Sequence, residues 1–177
     1  MQIDAARLDD ARGIAEVHVR TWQTAYPGIV PREYLDSLSI DKHETMWREA
    51  IVGGKPELLV ARDDNGGVAG WVAFGASRDK DATESAAEIW AIYVSATAWG
   101  SGVGRALWKH ARVRMRDHGF TSVTLWVFPE NVRAARFYES IGFALMPGSA
   151  KQFMLGGSTL NEVRYRRAID SDSDAES

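Results

Sequence analysis

Between Ala87 and Leu107 an apolar run ending IWAIYV (Ile89–Val94) passes through WGSGVG, Trp99 to Gly104, into a segment with helical spacing. A strand, a glycine-rich turn and a helix in immediate succession constrain the fold more than any other feature of the chain. Glycine inside an element costs about 0.5–1 kcal/mol relative to alanine, so Gly100, Gly102 and Gly104 need a reason. Either the chain only turns there, or its backbone comes close to a ligand. Amides in a first helical turn point outward and the helix dipole favours negative charge, so the loop suits an anion. It is not a P-loop, which needs GxxxxGK[ST]. Nor is it a dinucleotide fingerprint, since Leu107 stands where GxGxxG requires its third glycine.

The elements around it predict a mixed α/β chain. Ile3–Ala6 reads as a first strand, with Asp9 or Asp10 capping a helix that repeats Ile14, Val17, Thr21 or Trp22 and Ala25. Tyr26-Pro27-Gly28 breaks that helix, and short helices follow at Pro31–Leu38 and Lys42–Ile51. Strands at Leu58–Ala61 and Val68–Phe74 flank DDNGG, a hairpin signal. Ser77–Ser85 is a charged loop, and Ala87–Val94 a buried strand. A helix from Gly102 to about His118 leads to a strand at Thr121–Val127, which implies a parallel crossover. Asn131–Ile141 is a helix stopped by Gly142, and Phe143–Met146 and Glu162–Arg167 are the last strands. The segment between those two strands shows no readable pattern.

Composition narrows the function classes. With no cysteine among 177 residues, disulfides, thiolate metal sites and any covalent thiol intermediate are excluded. No apolar run approaches the ~18 residues of a membrane span, and the polar start MQIDAARLDD is not a signal peptide, so a cytoplasmic protein without membrane contact is expected. Residues 1–169 are expected to form one domain, and 170–177 a disordered acidic tail. That tail holds Asp170, Asp172, Asp174 and Glu176; without them 20 acids face 21 bases, which gives no footprint for nucleic acid. The four histidines lack metal-ligand spacing, so no metal is expected.

A second motif, LWVFPENVRAARFYESIGF from Leu125 to Phe143, joins the glycine loop in pointing one way. Asn131, Ala134, Phe137-Tyr138 and Gly142-Phe143 lie in the register of the GNAT superfamily of N-acetyltransferases, which the chain resembles over nearly its whole body. The resemblance implies a mostly antiparallel sheet with a splayed parallel strand pair, flanked by helices. It implies acetyl-CoA as co-substrate, held by Ile92, Tyr93 and Val94 on the strand and by Trp99, Gly100, Ser101, Gly102, Val103, Gly104 and Arg105 in the loop. Asn131 and Ala134 would meet the pantetheine arm. Trp99 departs from the Arg or Gln usual in the family, and Ala96 from its common Pro; both spare the backbone amides.

The same resemblance gives Tyr138 as general acid, Glu88 as general base through water, and the Val94 N–H as oxyanion donor. Taken only as residues, Tyr138 reads equally as a core aromatic and Glu88 as a solvated strand-end carboxylate. Trp22 and Tyr26, four apart on one helical face, are either core or part of an acceptor pocket. Asp79, Asp81 and Glu84 could attract a cationic amine or simply be a solvated loop. The expected partner is a small-molecule primary amine, with a homodimer left open beside the monomer. A peptide N-acetyltransferase and a non-catalytic acyl-CoA-binding module are the alternatives. Acetylation of charged tRNA conflicts with the near-neutral body.

Overall fold

The computed structural model of the protein describes residues 1–169. Its elements are β1 (Gln2–Ala5), α1 (Ala11–Ala25), α2 (Arg32–Asp36), α3 (Ile40–Gly53), β2 (Glu57–Arg62), β3 (Val68–Ala76) and β4 (Ala86–Val94). They continue as α4 (Val103–Asp117), β5 (Ser122–Val127), α5 (Val132–Ser140), β6 (Ala144–Leu145), β7 (Lys151–Leu155) and β8 (Ser158–Ala168). The sheet runs β1-β2-β3-β4-β5-β8-β6, with β7 paired to β8. Its pairs are antiparallel except β4–β5, the parallel pair that the crossover through α4 requires.

The last fifth of the chain corrects the sequence reading. The patternless segment holds β7 and the first residues of β8, joined by Gly156 and Gly157, both at positive φ. The strand expected at Phe143–Met146 shrinks to Ala144–Leu145. β7 packs Phe153 and Leu155 on one face, but the exposed residue between them, Met154, is apolar, so the sequence lacks the alternation that marks a strand packed on one face. The acidic tail expected at 170–177 lies outside the described residues.

Two helical layers cover the sheet. On one face α4 presents Val103, Leu107, Trp108, Ala111 and Met115 to Val72, Ile89, Leu125 and Tyr165. On the other, α1 and α3 pack Ile14, Val17 and Trp47 against Val60, Trp71 and Ala73. Trp71 is fully buried there; its Nε1 donates to Ile14 O at 3.1 Å and its ring meets Trp47 edge-on at 4.6 Å. His18 sits among these rings and accepts from Trp47 Nε1 at 3.2 Å. Burial, reinforced by His43 at 4.4 Å, drives the His18 pKa down to about 3.

The unfolded chain therefore binds a proton on His18 below its ordinary value of ~6.5, where the folded chain does not. Stability is full above that value and is lost progressively as pH falls towards 3. Between pH 6.5 and 5 the loss should be about 2 kcal/mol, at 1.36 kcal/mol per unit. Urea unfolding of His18→Gln at pH 7 and pH 5 checks this: the variant should show a flatter dependence than the parent.

The site is created where β4 and β5 part. Their ladder holds only for Ala86–Glu88 against Ser122–Thr124, after which β5 stays with β8 as far as Val127. On its other edge β4 carries a bulge: Ala91 faces Ala73 and Ile89 faces Phe74, so Trp90 is the extra residue. A bulge bends its strand and increases local twist. The bend coincides with the loss of pairing to β5, and a gap opens between two central strands.

Candidate active site

The alternation of an antiparallel ladder decides what β4 shows to this gap. Ser95 N–H donates to Ala69 O at 2.8 Å, so Trp71/Tyr93 and Ala73/Ala91 are hydrogen-bonded pairs in the same register. Gly70/Val94 and Val72/Ile92 are then the non-bonded pairs. The N–H groups of Ile92 and Val94 therefore point away from β3, towards the side β5 has vacated. Val94 O on that edge accepts from Trp99 Nε1 at 2.8 Å.

A cleft of about 750 Å³ occupies the gap. Trp22, Tyr26, Glu88, Ile92, Tyr93, Val94, Trp99, Gly100, Gly102, Val103, Gly104, Arg105, Asn131, Ala134 and Tyr138 all line it. Ser101 does not; its hydroxyl turns back to Ala98 O at 2.6 Å. The volume falls within the range of small-molecule pockets, ~300–1,000 Å³.

The three glycines serve two purposes. Gly100 and Gly102 hold φ of 75° and 86°, and a Cβ on either would meet nothing within 4 Å. There the backbone conformation is what needs glycine. Gly104 lies inside α4, where a Cβ would stand 3.1 Å from the Phe137 ring, so it lets α4 and α5 approach. The first bond within α4 runs from Ala106 N to Gly102 O, and no side chain caps the helix. The amides of Val103, Gly104 and Arg105 are first-turn donors without a partner within the helix, and all three residues line the cleft. The first turns of α4 and α5 contain no acid. Arg105, in the α4 turn, reaches Ser140 Oγ at 3.3 Å.

Trp99 anchors the loop to the end of β4 and carries a second cation. The Arg133 guanidinium, from the first turn of α5, lies 3.1 Å over its ring. Sequence reasoning missed Arg133; the clue was a basic residue in a helix's first turn, against the dipole. Asn131 is the N-cap of α5, accepting from Ala134 N at 3.2 Å.

Three tyrosines line the middle of the cleft. Tyr138 is buried, with the rings of Phe137, Phe143 and Tyr165 at 5.4, 6.0 and 6.5 Å. Burial, with Tyr93 nearby, pushes its phenol well above the ordinary value, so it stays protonated. Tyr93 accepts from Trp22 Nε1 at 2.9 Å, and burial raises its phenol too. Tyr26 is held edge-on between Trp22 and Phe128 at 5.0 Å from each, and burial raises it in the same way.

On the α1 side the charges are paired. Glu88, at the last β4–β5 rung, is buried and accepts from Arg78 N at 2.9 Å, Nε at 3.2 Å and Nη2 at 2.5 Å. Asp79 accepts from Trp126 Nε1 at 3.0 Å and Arg164 at 3.2 Å, and Asp81 takes Arg164 at 2.7 Å. The acids that the sequence offered to a cationic amine are thus engaged by Arg164; Glu84 does not line the cleft. Lys151 pairs with Glu162 at 3.2 Å and lies 3.6 Å over the Trp126 ring. Among the described residues no group of three or more His, Asp or Glu is placed to hold a metal. Among them, too, no helix is long and apolar enough to cross a membrane.

Comparison with known proteins agrees with this geometry. The acetyltransferase (GNAT) family matches residues 16–143. YuaI of Bacillus subtilis (strain 168), an uncharacterized N-acetyltransferase, is 33% identical over 158 residues, covering 89% of this chain and 87% of that protein. In fold, the chain is similar to the PaiA N-acetyltransferase of Thermoplasma acidophilum in complex with coenzyme A, at a TM-score of 0.75 and 19% identity. That likeness covers 95% of this chain and 99% of the other. It is also similar to the ribosomal-protein-alanine N-acetyltransferase of Brucella melitensis, at a TM-score of 0.74 and 18% identity over 95% and 99% of the two chains.

Proposed function

The chain belongs to the GNAT family of acetyltransferases, and on that premise we propose that it moves the acetyl group of acetyl-CoA directly to the primary amine of a small molecule. One observation carries the reading. Where β4 and β5 separate, outward Val94 N–H, buried Tyr138 and the free first-turn amides of α4 share one cleft. Those amides suit the anionic diphosphate of the co-substrate, and the positive φ of Gly100 and Gly102 fits a backbone wrapped around it. Bound acetyl-CoA supplies the thioester. The PaiA structure holds coenzyme A, which supports the assignment.

The chemistry follows from what each group can do. The amine nitrogen bonds to the thioester carbon, while Val94 N–H donates to the oxygen that gains charge. The carbon–sulfur bond then breaks, and the Tyr138 hydroxyl gives its proton to the departing sulfur. Glu88 accepts the amine's proton through water; it lines the cleft, and the Arg78 bonds fix its carboxylate in place. Trp22 and Tyr26 wall the acceptor side. With no cysteine in the chain, attack is direct rather than through an acetyl-thiol.

The reading is tested by mixing the protein, acetyl-CoA and a panel of primary amines, and following free thiol beside the acetylated amine. Thiol release that depends on the amine is expected; release without acetylated product would contradict it. Glu88→Gln is expected to move the pH–rate profile to higher pH, since the amine must then lose its proton unaided. A superimposable profile would remove Glu88 as base.

A further inference from the structure

The bulge at Trp90 gives the cleft two chemically distinct sides. Ile89, Ile92 and Val94 pack towards α4, whereas Trp90, Ala91 and Tyr93 pack towards α1 and α3. In β5, Leu125 and Val127 face α4, so Trp126 between them faces the α1 side. Arg78 lies 4.2 Å over Trp90 and Lys151 lies 3.6 Å over Trp126. Both cations thus stand on the side opposite the glycine loop, on tryptophan platforms flanking the gap.

Exposure gives that side its sign. The Arg78 and Lys151 side chains are 53% and 47% exposed, while their counter-ions Glu88 and Glu162 are 3% and 21% exposed. Asp79, the remaining acid of the lining on this side, is 12% exposed and bound by Trp126 and Arg164. Asp81, 65% exposed and paired with Arg164, does not line the cleft. Among the groups that do line it on this side, the cations therefore stand outermost, with the acids behind them. Guanidinium and ammonium groups retain donors for a further acceptor after one ion pair.

We propose that the acceptor is an amine that also carries an anionic group, a carboxylate or phosphonate, held by Lys151 and Arg78 while its nitrogen reaches the gap. This rests on the acetyl-transfer reading above. A diamine or polyamine would bring a second cation against two fixed ones, which disfavours it. The platforms also fix both cations in position, so little side-chain freedom is lost on binding.

The test compares amino acids and aminoalkylphosphonates with their neutral amides or esters, and with diamines, by acetyl-CoA-dependent thiol release. The anionic acceptors should exceed their neutral partners at least tenfold in kcat/KM, through KM. In Lys151→Gln that ratio should fall several-fold, and it should stay low in Lys151→Gln/Glu162→Gln, where no uncovered carboxylate remains. The relative standing of carboxylates and phosphonates identifies which anion is used. Neutral amines or diamines ahead of the anionic ones, or an unchanged ratio in both variants, would overturn the proposal while leaving acetyl transfer intact. No thiol release with any acceptor would overturn the transfer reading and this proposal with it.

Discussion

Replacing Tyr138 by phenylalanine is expected to lower kcat by about 10²–10³-fold while leaving acetyl-CoA affinity within about twofold of the parent. The change removes one hydroxyl and keeps the ring that packs on Phe137, Phe143 and Tyr165. Its effect on stability should be about 1 kcal/mol or less, the net value of a single hydrogen bond. Steady-state rates and a calorimetric titration separate the outcomes. Lost affinity at unchanged kcat would make Tyr138 a binding residue. No change in either would make it a core aromatic.

Valine at Gly102 and valine at Gly104 should fail in different ways. At Gly102 the space is open but φ is +86°, which a β-branched residue adopts only at about 1–3 kcal/mol. The turn should rearrange and the amides of Val103, Gly104 and Arg105 lose their common aim. Acetyl-CoA affinity is expected to fall about 100-fold, equal to ~2.7 kcal/mol, with a small change in Tm. At Gly104 the added carbons meet the Phe137 ring at 3.1–3.2 Å, so overpacking should cost about 1–3 kcal/mol. Tm and affinity should then drop together, as α4 and α5 are pushed apart. Gly102→Val with the parent's affinity would reduce the loop to a turn.

The part of the fold that was readable beforehand is the part with the most burial. β2 to β5 announced themselves as apolar runs covered on both faces, α4 by its single buried stripe, and Gly119 and Gly142 marked the ends of α4 and α5 at positive φ. β7 did not, since the exposed Met154 between Phe153 and Leu155 is apolar and its partner in β8 starts with the polar Ser158-Thr159. The Gly156-Gly157 pair was the available signal, a two-residue hairpin turn between them.

The site divides along a similar line. Residues of a single strand–turn–helix unit, such as Val94, Gly102 and Gly104, were offered by the sequence and its family resemblance, and all three line the cleft. Partnerships across elements could not. Arg78 takes Glu88 from the loop after β3, Arg133 on α5 lies on Trp99, and Lys151 on β7 stands over Trp126 in β5, while the bulge at Trp90 changes which face the second half of β4 shows. Period-two patterns are insensitive to one inserted residue, because a bulge shifts register without changing composition. The acidic loop shows the consequence: Asp79 and Asp81 suggested a site for cations, yet Arg164, 83 residues beyond Asp81, occupies both.

The measurement that bears most directly on the whole account is a calorimetric titration of the protein with acetyl-CoA, with NADH and ATP as controls. Micromolar, one-to-one binding of acetyl-CoA is expected, with no comparable heat from either control. Absence of acetyl-CoA binding, or equal binding of all three, would contradict it and leave the three glycines as a turn between β4 and α4.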